Sequence, residues 1–375
     1  MNLLLVNYEY PPIGGGAGNA TFFLARAFCR KGINTVVLTS SFADARGYKE
    51  EEGVQVYRVP ALRRFIDRSG FIEKMVFAVV AVTRASRMVR KHSIQRTMVF
   101  FTLPCGPAGY WVKKKHGVPY LILLRGGDVP GLLAEHKWIH RITRPIRRSI
   151  LQNASAIIAN DAGLANLSMT ADPYPVDVIP NGVDTDYFVP ARPGSHSDGF
   201  RILFVGRFAA QKNLFYLLDQ CSKLMTAFPG RVSLRMVGDG PQMHELRKHA
   251  AEAGFEGSVT WYGWAQKDQL RDLYATSSCF VNPSLYEGMP NTVLEAMSSG
   301  LPVVASDVPG NDTLIQDGEN GYIFDLKKPD GCFDALVRLV QDPEGAQRMG
   351  NQGRQRAVDN HSWDSISERF IRLLS

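Results

Sequence analysis

The chain has 375 residues, 45% hydrophobic and 21% charged, with a formal charge of +7, a composition that excludes a disordered chain and describes an ordinary folded protein. At about 150 residues per domain the length suggests two domains, each large enough to bury a core, and argues against a lone binding module. Five scattered cysteines (Cys29, Cys105, Cys221, Cys279, Cys332) form no Cys-x-x-Cys pair, so neither a disulfide framework nor a structural zinc is expected, and a reducing compartment is.

No apolar run approaches the roughly 20 residues that span a bilayer; the longest, Met75 to Val82, is too short. The opening Asn2 to Val6 passes at once into Glu9, prolines and glycines, without a basic n-region or cleavage site, so no signal peptide is read and a cytoplasmic location is expected. Charge is unevenly spread. Residues 1–150 carry 24 Lys+Arg and 9 Asp+Glu, a balance of +15, whereas residues 151–375 carry 19 and 27, a balance of −8, and the two sum to +7. The first half, with clusters at Arg63, Arg64 and Arg68, at Arg84 to Lys91, at Lys113 to Lys115 and at Arg141 to Arg148, should attract anions.

In chain order, short apolar runs alternate with helical patterns: Leu3 to Asn7, Thr35 to Thr39, Val54 to Val59, Thr97 to Phe101, Tyr120 to Leu124, Ala156 to Ala159 and Val176 to Ile179. These read as buried parallel strands. The pattern restarts at Arg201 to Val205 and continues through Ser233 to Val237, Ser258 to Tyr262, Cys279 to Val281, Pro302 to Ala305 and Gly321 to Phe324. Pro190 to Gly199 between them has linker chemistry. The expectation is an α/β fold of two doubly wound, Rossmann-like domains, 1–190 and 191–361, with ligands at the carboxyl ends of the strands and hence in a cleft between the domains.

Gly14 to Gly18 follows the first strand, but Asn19 stands where a dinucleotide fingerprint needs its third glycine, and the second strand ends without an acidic residue for a ribose. A nicotinamide enzyme is disfavoured. The glycines still let backbone amides approach an anion, with a helix from Ala20 onward aimed at the same point; a merely tight loop is the alternative. Asn282 to Gly300 is more informative, reading as strand, loop and helix. Pro290 suits a first helical turn, which would leave the amides of Asn291, Thr292 and Val293 open for phosphate. Glu295, a turn deeper, can accept the vicinal hydroxyls of a ribose, and Glu287 those of a sugar ring.

Here the sequence resembles the family 4 glycosyltransferases, retaining enzymes of the GT-B fold, through Glu-x7-Glu at Glu287 and Glu295. The likeness includes the glycine loop, Pro180 to Asp184, Gly206-Arg207-Phe208 through Lys212-Asn213, Val237 to Pro241, and Gly300 to Ser306 with Gly310 and Asn320-Gly321. It implies a nucleotide sugar, UDP preferred and GDP the alternative, held mostly by the second domain, an acceptor held by the first, retention of configuration, and no metal or cofactor. No Asp-x-Asp stands where a diphosphate-bound Mg²⁺ would be expected, which agrees with the last. The implied donor contacts are Gly15, Gly16, Arg207, Lys212, Trp264, Glu287, Gly288, Met289, Asn291, Thr292, Val293 and Glu295. The catalytic set is Arg207, Lys212, Glu287 and Asp128. Arg207 and Lys212 would offset charge growing on the departing diphosphate; solvated surface charges are the alternative. Trp264 would stack on the base or pack between domains.

After strand Tyr120 to Leu124 the family often has His-Gly, whereas this chain has Arg125-Gly126-Gly127-Asp128. Arg125 stays protonated and can only hold an anion, which leaves Asp128 as the group able to orient or deprotonate an acceptor hydroxyl, with a helix cap or Asx-turn as its alternative. Acceptor contacts are therefore expected at Arg125, Gly126, Gly127 and Asp128. Bacterial members often extend lipid-linked glycans, so a glycan or lipid-linked acceptor in surface polysaccharide synthesis is expected. Ile72 to His92 reads as an amphipathic helix, and residues 63–96 as a peripheral contact with the inner face of an anionic membrane; a core-facing helix with dipole-offsetting charges is the alternative. No nucleic-acid signature accompanies the basic clusters. A helix at 362–375 is implied to pack back on the first domain. The rivals are a nucleotide-sugar epimerase or phosphorylase of the same architecture, and a non-catalytic glycan-binding protein, which Arg125 keeps in view. Oligomeric state is left open.

Overall fold

The structure, a computed structural model, describes residues 1–65, 69–131, 137–191 and 199–375; Arg68 and most of the 190–199 linker lie outside them. It divides into two compact units, Met1–Asn181 with Trp363–Ser375, and Gly182–Ser362. The division falls ahead of the 190/191 boundary suggested by linker composition.

In the first unit the strands are β1 (Asn2–Val6), β2 (Asn34–Ser40), β3 (Gly47–Glu51), β4 (Val54–Val59), β5 (Arg96–Phe100), β6 (Tyr120–Leu123), β7 (Ala156–Ala159) and β8 (Asp177–Val178). The helices are α1 (Gly16–Arg30), α2 (Phe71–His92), α3 (Gly106–His116), α4 (Lys137–Asn153) and α5 (Ala162–Ala171). The sheet order is β3-β4-β2-β1-β5-β6-β7-β8. Leu3, Leu4, Leu5 and Val6 are wholly buried, as expected for a parallel strand covered on both faces. The second unit holds β9 (Phe200–Val205), β10 (Val232–Val237), β11 (Val259–Gly263), β12 (Cys279–Asn282), β13 (Val303–Ser306) and β14 (Gly321–Phe324), in the order β11-β10-β9-β12-β13-β14 and parallel throughout. Its helices are α6 (Leu214–Ala227), α7 (Met243–Glu252), α8 (Lys267–Ala275), α9 (Asn291–Ser298), α10 (Asn311–Leu314), α11 (Gly331–Gln341) and α12 (Pro343–His361).

Each sheet changes winding direction once, between β1 and β5 and between β9 and β12. Crossover helices go to opposite faces on the two sides of such a point, which opens a crevice at the carboxyl ends of those strands.

Two elements differ from expectation. β3, with sequence Gly-Tyr-Lys-Glu-Glu, has no apolar run, yet it pairs antiparallel with β4 from Gly47↔Arg58 to Glu51↔Val54. The turn uses Glu52 and Gly53 at positive φ, and the exposed charges suit an edge strand. Helix α1 begins at Gly16, not Ala20.

A final helix, α13 (Trp363–Leu374), belongs to the first unit. Trp363 stacks on Phe23 with centroids 5.6 Å apart, Arg30 and Lys31 pair with Asp364 and Glu368 at 2.7 and 2.6 Å, and Ile366, Phe370 and Leu374 are buried. Among the described residues no helix is long and apolar enough to cross a membrane.

Candidate functional site

In the second unit, the segments following β9 and β12 are stitched together at the switch point. After β9, Gly206 donates to Val237 O at 3.0 Å and Phe208 to Asp239 O at 2.9 Å. Gly238 carries φ +131, and a Cβ there would lie 1.9 Å from Gly206 O, so only glycine lets the two loops touch. A single turn, Ala210–Lys212, then leads through left-handed Asn213 into α6. It bonds to the loop after β12: Leu285 N donates to Gln211 O at 2.8 Å, and Gln211 Nε2 to Tyr286 O at 2.9 Å.

That stitching brings Lys212 Nζ onto Glu287 Oε1, an ion pair with both side chains largely buried. Ser284 Oγ lies 2.6 Å from the same carboxylate oxygen and 2.8 Å from Asn282 Oδ1. Asn282 in turn donates to Asn311 Oδ1 at 2.9 Å, and Asn311 to Ser306 O at 3.0 Å. Buried polar groups of this kind persist when each finds a partner, and together they fix one conformation. From the other side Gly310 supports the loop: with φ +95, its absent Cβ would stand 2.2 Å from Gly288 O.

Arg207 is exposed, its carbonyl accepts from Ala209 N at 3.0 Å, and its guanidinium makes no hydrogen bond or ion pair with a described residue. It lines a hollow of about 730 Å³ with Val205, Gly238, Asp239, Pro241, Trp264 and Leu270. Trp264 is 81% exposed, so nothing within its own unit covers the indole. Pro290 caps α9 rather than opening its first turn, and the buried Val293 amide donates to Pro290 O at 3.0 Å. Of the three amides expected to be open, Val293 is thus spent inside the helix start. Asn291 is exposed and Thr292 half-buried, flanked by exposed Gly288 and half-buried Met289.

Glu295 sits one turn further on, with Tyr274 OH 3.0 Å from its Oε2. Tyr274 is fully buried and packed edge-on against Phe188. Loss of solvation pushes the Glu295 carboxyl up to about 7, against the Tyr274 hydrogen bond and the nearby Lys267 charge. Tyr274, Ser284, Asn282 and Asn311 were not singled out by the sequence. Each is a support rather than a motif residue, and only Asn282 and Ser284 adjoin the signature.

In the first unit the nominated residues lie after β6. Asp128 is 7% exposed; its Oδ2 accepts from Thr102 N at 2.8 Å and Thr102 Oγ1 at 3.2 Å, and its Oδ1 from Arg125 N at 3.1 Å. Burial raises its pKa. The carboxylate joins the loops after β5 and β6. Arg125 Nη1 donates to Asn181 Oδ1 at 2.6 Å, and its guanidinium lies over Phe100. Burial lowers its pKa to about 10, which leaves it cationic at neutral pH. Gly126 has φ +114, and Gly127 is exposed. Gly15 caps α1 and Gly16 begins it; a Cβ on Gly15 would meet nothing within 4 Å. Glu9, half-buried against Gly14 with its amide on Asn7 Oδ1 at 3.1 Å, is a carboxylate beside this loop that the glycine pattern overshadowed.

Residues 14–187 match the family described as Glycosyltransferase Family 4, and residues 199–342 the family described as Glycosyl transferases group 1. The chain is 29% identical to the lipopolysaccharide core biosynthesis glycosyltransferase LpsE of Rhizobium meliloti over 65% of this chain and 72% of that protein. It is 30% identical to the D-inositol 3-phosphate glycosyltransferase of Frankia alni over 71% and 70% of the two chains. Its fold matches Anabaena Alr3699/HepE in complex with UDP-glucose with a TM-score of 0.73 at 17% identity, covering 100% of this chain and 99% of that one. With two parallel α/β units of the GT-B fold and matches along both of them, the chain belongs to glycosyltransferase family 4 and is a glycosyltransferase.

Proposed function

We propose that this enzyme transfers a sugar from a nucleoside diphosphate sugar, UDP-linked in preference to GDP-linked, to a hydroxyl of a glycan or lipid-linked acceptor in surface polysaccharide synthesis, with retention and without a metal. The observation that carries the proposal is the Lys212–Glu287 pair, which joins the segments after β9 and β12 at the switch point, with Arg207 exposed earlier in the segment after β9. Arg207 and Lys212 stabilise the negative charge gathering on the leaving diphosphate, as fixed cations in a partly dry site do. Glu287 aims Lys212 and uses its second oxygen for sugar hydroxyls. Glu295, oriented by Tyr274, takes the ribose diol; the loop through Gly288 and Met289 into Asn291 and Thr292 meets phosphate; and Trp264 stacks on the base. In the first unit the open amide edge at Gly15 and Gly16 suits an anion, while Arg125, Gly126 and Gly127, braced by Asp128, meet the acceptor. The UDP-glucose bound by the HepE relative and the lipopolysaccharide role of LpsE support the donor and acceptor classes.

Calorimetry with UDP and GDP tests the donor assignment and should show tighter binding of UDP. The ionised Glu295 is the ribose acceptor, so affinity should fall as pH drops from about 8 to about 6 and this dependence should vanish in Glu295→Gln. The sign is that of a carboxyl whose folded pKa, about 7, exceeds its ordinary 4.5: in the unligated protein it favours the folded state at low pH, and that contribution is lost as pH rises through 7. Equal affinity for the two nucleotides, or a pH profile untouched by the substitution, removes the assignment. The anomeric proton of the product and the rate in EDTA check retention and metal independence.

We also propose peripheral attachment to anionic membranes. The outer side of α2 carries exposed Ile72, Met75 and Val79, followed by exposed Arg84, Arg87 and Arg90, while Phe77, Ala81, Ala85 and Met88 face the core. Each well-placed arginine contributes about 1 kcal/mol near such a surface. Co-sedimentation with phosphatidylglycerol vesicles should weaken at least tenfold when these three arginines are changed to glutamate; binding indifferent to both salt and the substitutions ends the proposal.

A further inference from the structure

Helix α8 presents one face to the donor site. Leu270 lines the hollow that also holds Arg207 and Trp264, and Tyr274, one turn further on, gives its hydroxyl to Glu295 Oε2 at 3.0 Å. Residues three, four and seven apart share a face of a helix, so Lys267, the first residue of α8, continues the same stripe at its amino end. It is a lysine where a helix least favours one, because the amino terminus carries the positive end of the dipole.

The cation is nevertheless held there. Lys267 is exposed, yet its Nζ stands 4.0 Å from the centroid of the Tyr187 ring, a close cation–π approach. The ring is itself fixed. Tyr187 OH donates to Asp268 Oδ1 at 2.6 Å, and Tyr187 meets Phe188 edge to face with centroids 5.2 Å apart. Phe188 packs in the same way on Tyr274 at 5.6 Å. Three rings thus run from the ammonium to the residue that bonds Glu295.

Glu295 makes no ion pair with a described residue. Its burial opposes the charged form, and Lys267 is the charge that favours it. Ionisable groups on the other elements packed against α9 are engaged elsewhere. From α12, Arg354 donates to Phe188 O at 3.1 Å and to Ser298 O, and His361 is buried at the helix end whose carbonyl accepts from Val183 N. From α10, Asp312 Oδ1 accepts from Gly310 N at 3.1 Å. The Cys279 thiol of β12 is held neutral by burial, and β13 carries no ionisable side chain.

We infer that Lys267 is a positioning residue of the donor site: set on the Tyr187 ring, its ammonium keeps Glu295 as the carboxylate that accepts the ribose diol. Lys267 acts through Glu295 and does not itself meet the nucleotide. The inference rests on the ribose reading of Glu295 above and adds the group that sustains it near neutral pH.

The test is calorimetric titration of the full chain with UDP between pH 5.5 and 8.5, each profile read against that of Glu295→Gln. Lys267→Met should raise the midpoint of the profile by about half a unit, the effect of losing an exposed, partly screened charge. Affinity at pH 6 then falls about threefold, in proportion to the ionised fraction, and the curves converge by pH 8.5. Lys267→Arg should keep the wild-type midpoint. KCl at 0.5 M should lift the wild-type midpoint toward that of Lys267→Met and leave the variant's in place. An unmoved midpoint in Lys267→Met overturns the inference. So does an affinity lowered by the same factor at every pH, which is what a structural role or a direct phosphate contact would produce. If Glu295→Gln keeps the wild-type profile, the ribose reading itself fails; if Glu295→Gln loses it and Lys267→Met leaves it in place, only the role of Lys267 fails.

Discussion

Lys212→Ala lowers turnover by at least about a hundredfold, the scale on which removal of one charge-stabilising donor acts. Two losses coincide. The departing diphosphate loses a fixed cation, and Glu287, whose side chain is 8% exposed, keeps its charge with Ser284 as its remaining partner. A buried carboxylate without its cation is costly to keep in place, and its movement toward water disturbs the sugar contacts assigned to it. Lys212→Arg should recover part of the rate, since the charge returns with a different reach. Steady-state release of nucleoside diphosphate at saturating acceptor is the measurement, with thermal unfolding as the control for folding. A rate within threefold of wild type removes Lys212 from the mechanism.

Gly310→Ala is the larger structural perturbation. At φ +95 an alanine is strained by about 1–2 kcal/mol, and its methyl would overlap the carbonyl oxygen of Gly288, an overpacking term of about 1–3 kcal/mol. Together these come to about 3 kcal/mol, a fall in Tm of roughly 6–12 °C for a unit of this size. Because the atom displaced belongs to the Glu287–Gly288 loop, donor affinity should fall with stability. Differential scanning calorimetry with and without UDP checks both; an unchanged Tm together with unchanged UDP affinity would show that the loop does not depend on this contact.

The strands were legible because those buried on both faces must be short apolar runs, and the starts at Leu3, Tyr120, Ala156 and Cys279 fall within a residue of those in the structure. β3 escaped because an exposed edge has no apolar requirement: its order comes from its partner β4, not from its own residues. The start of α1 was misplaced because Gly15, not a side-chain cap, precedes it. At the site, the signature located Glu287 and Glu295 but not what holds them. Lys212 and Glu287 are 75 residues apart, Thr102 and Asp128 26, and Tyr274 and Glu295 21. Such pairings depend on which strands become neighbours, a property of the sheet order that no local pattern encodes. Asp128 shows the same: beside two glycines after a strand it has the chemistry of a group that orients or deprotonates an acceptor, and its hydrogen bonds from Thr102 cannot be read from that segment.

The return of α13 to the first unit bears on how the protein is made. Trp363 and the apolar face behind it leave the ribosome only after the 181 residues from Gly182 to Ser362, an interval of roughly 10–40 s at usual translation rates. Throughout that time α1 carries Phe23 and its neighbours without their covering helix. The unit that emerges first is therefore completed last, and its greatest exposure to chaperones and proteases falls during synthesis of the other.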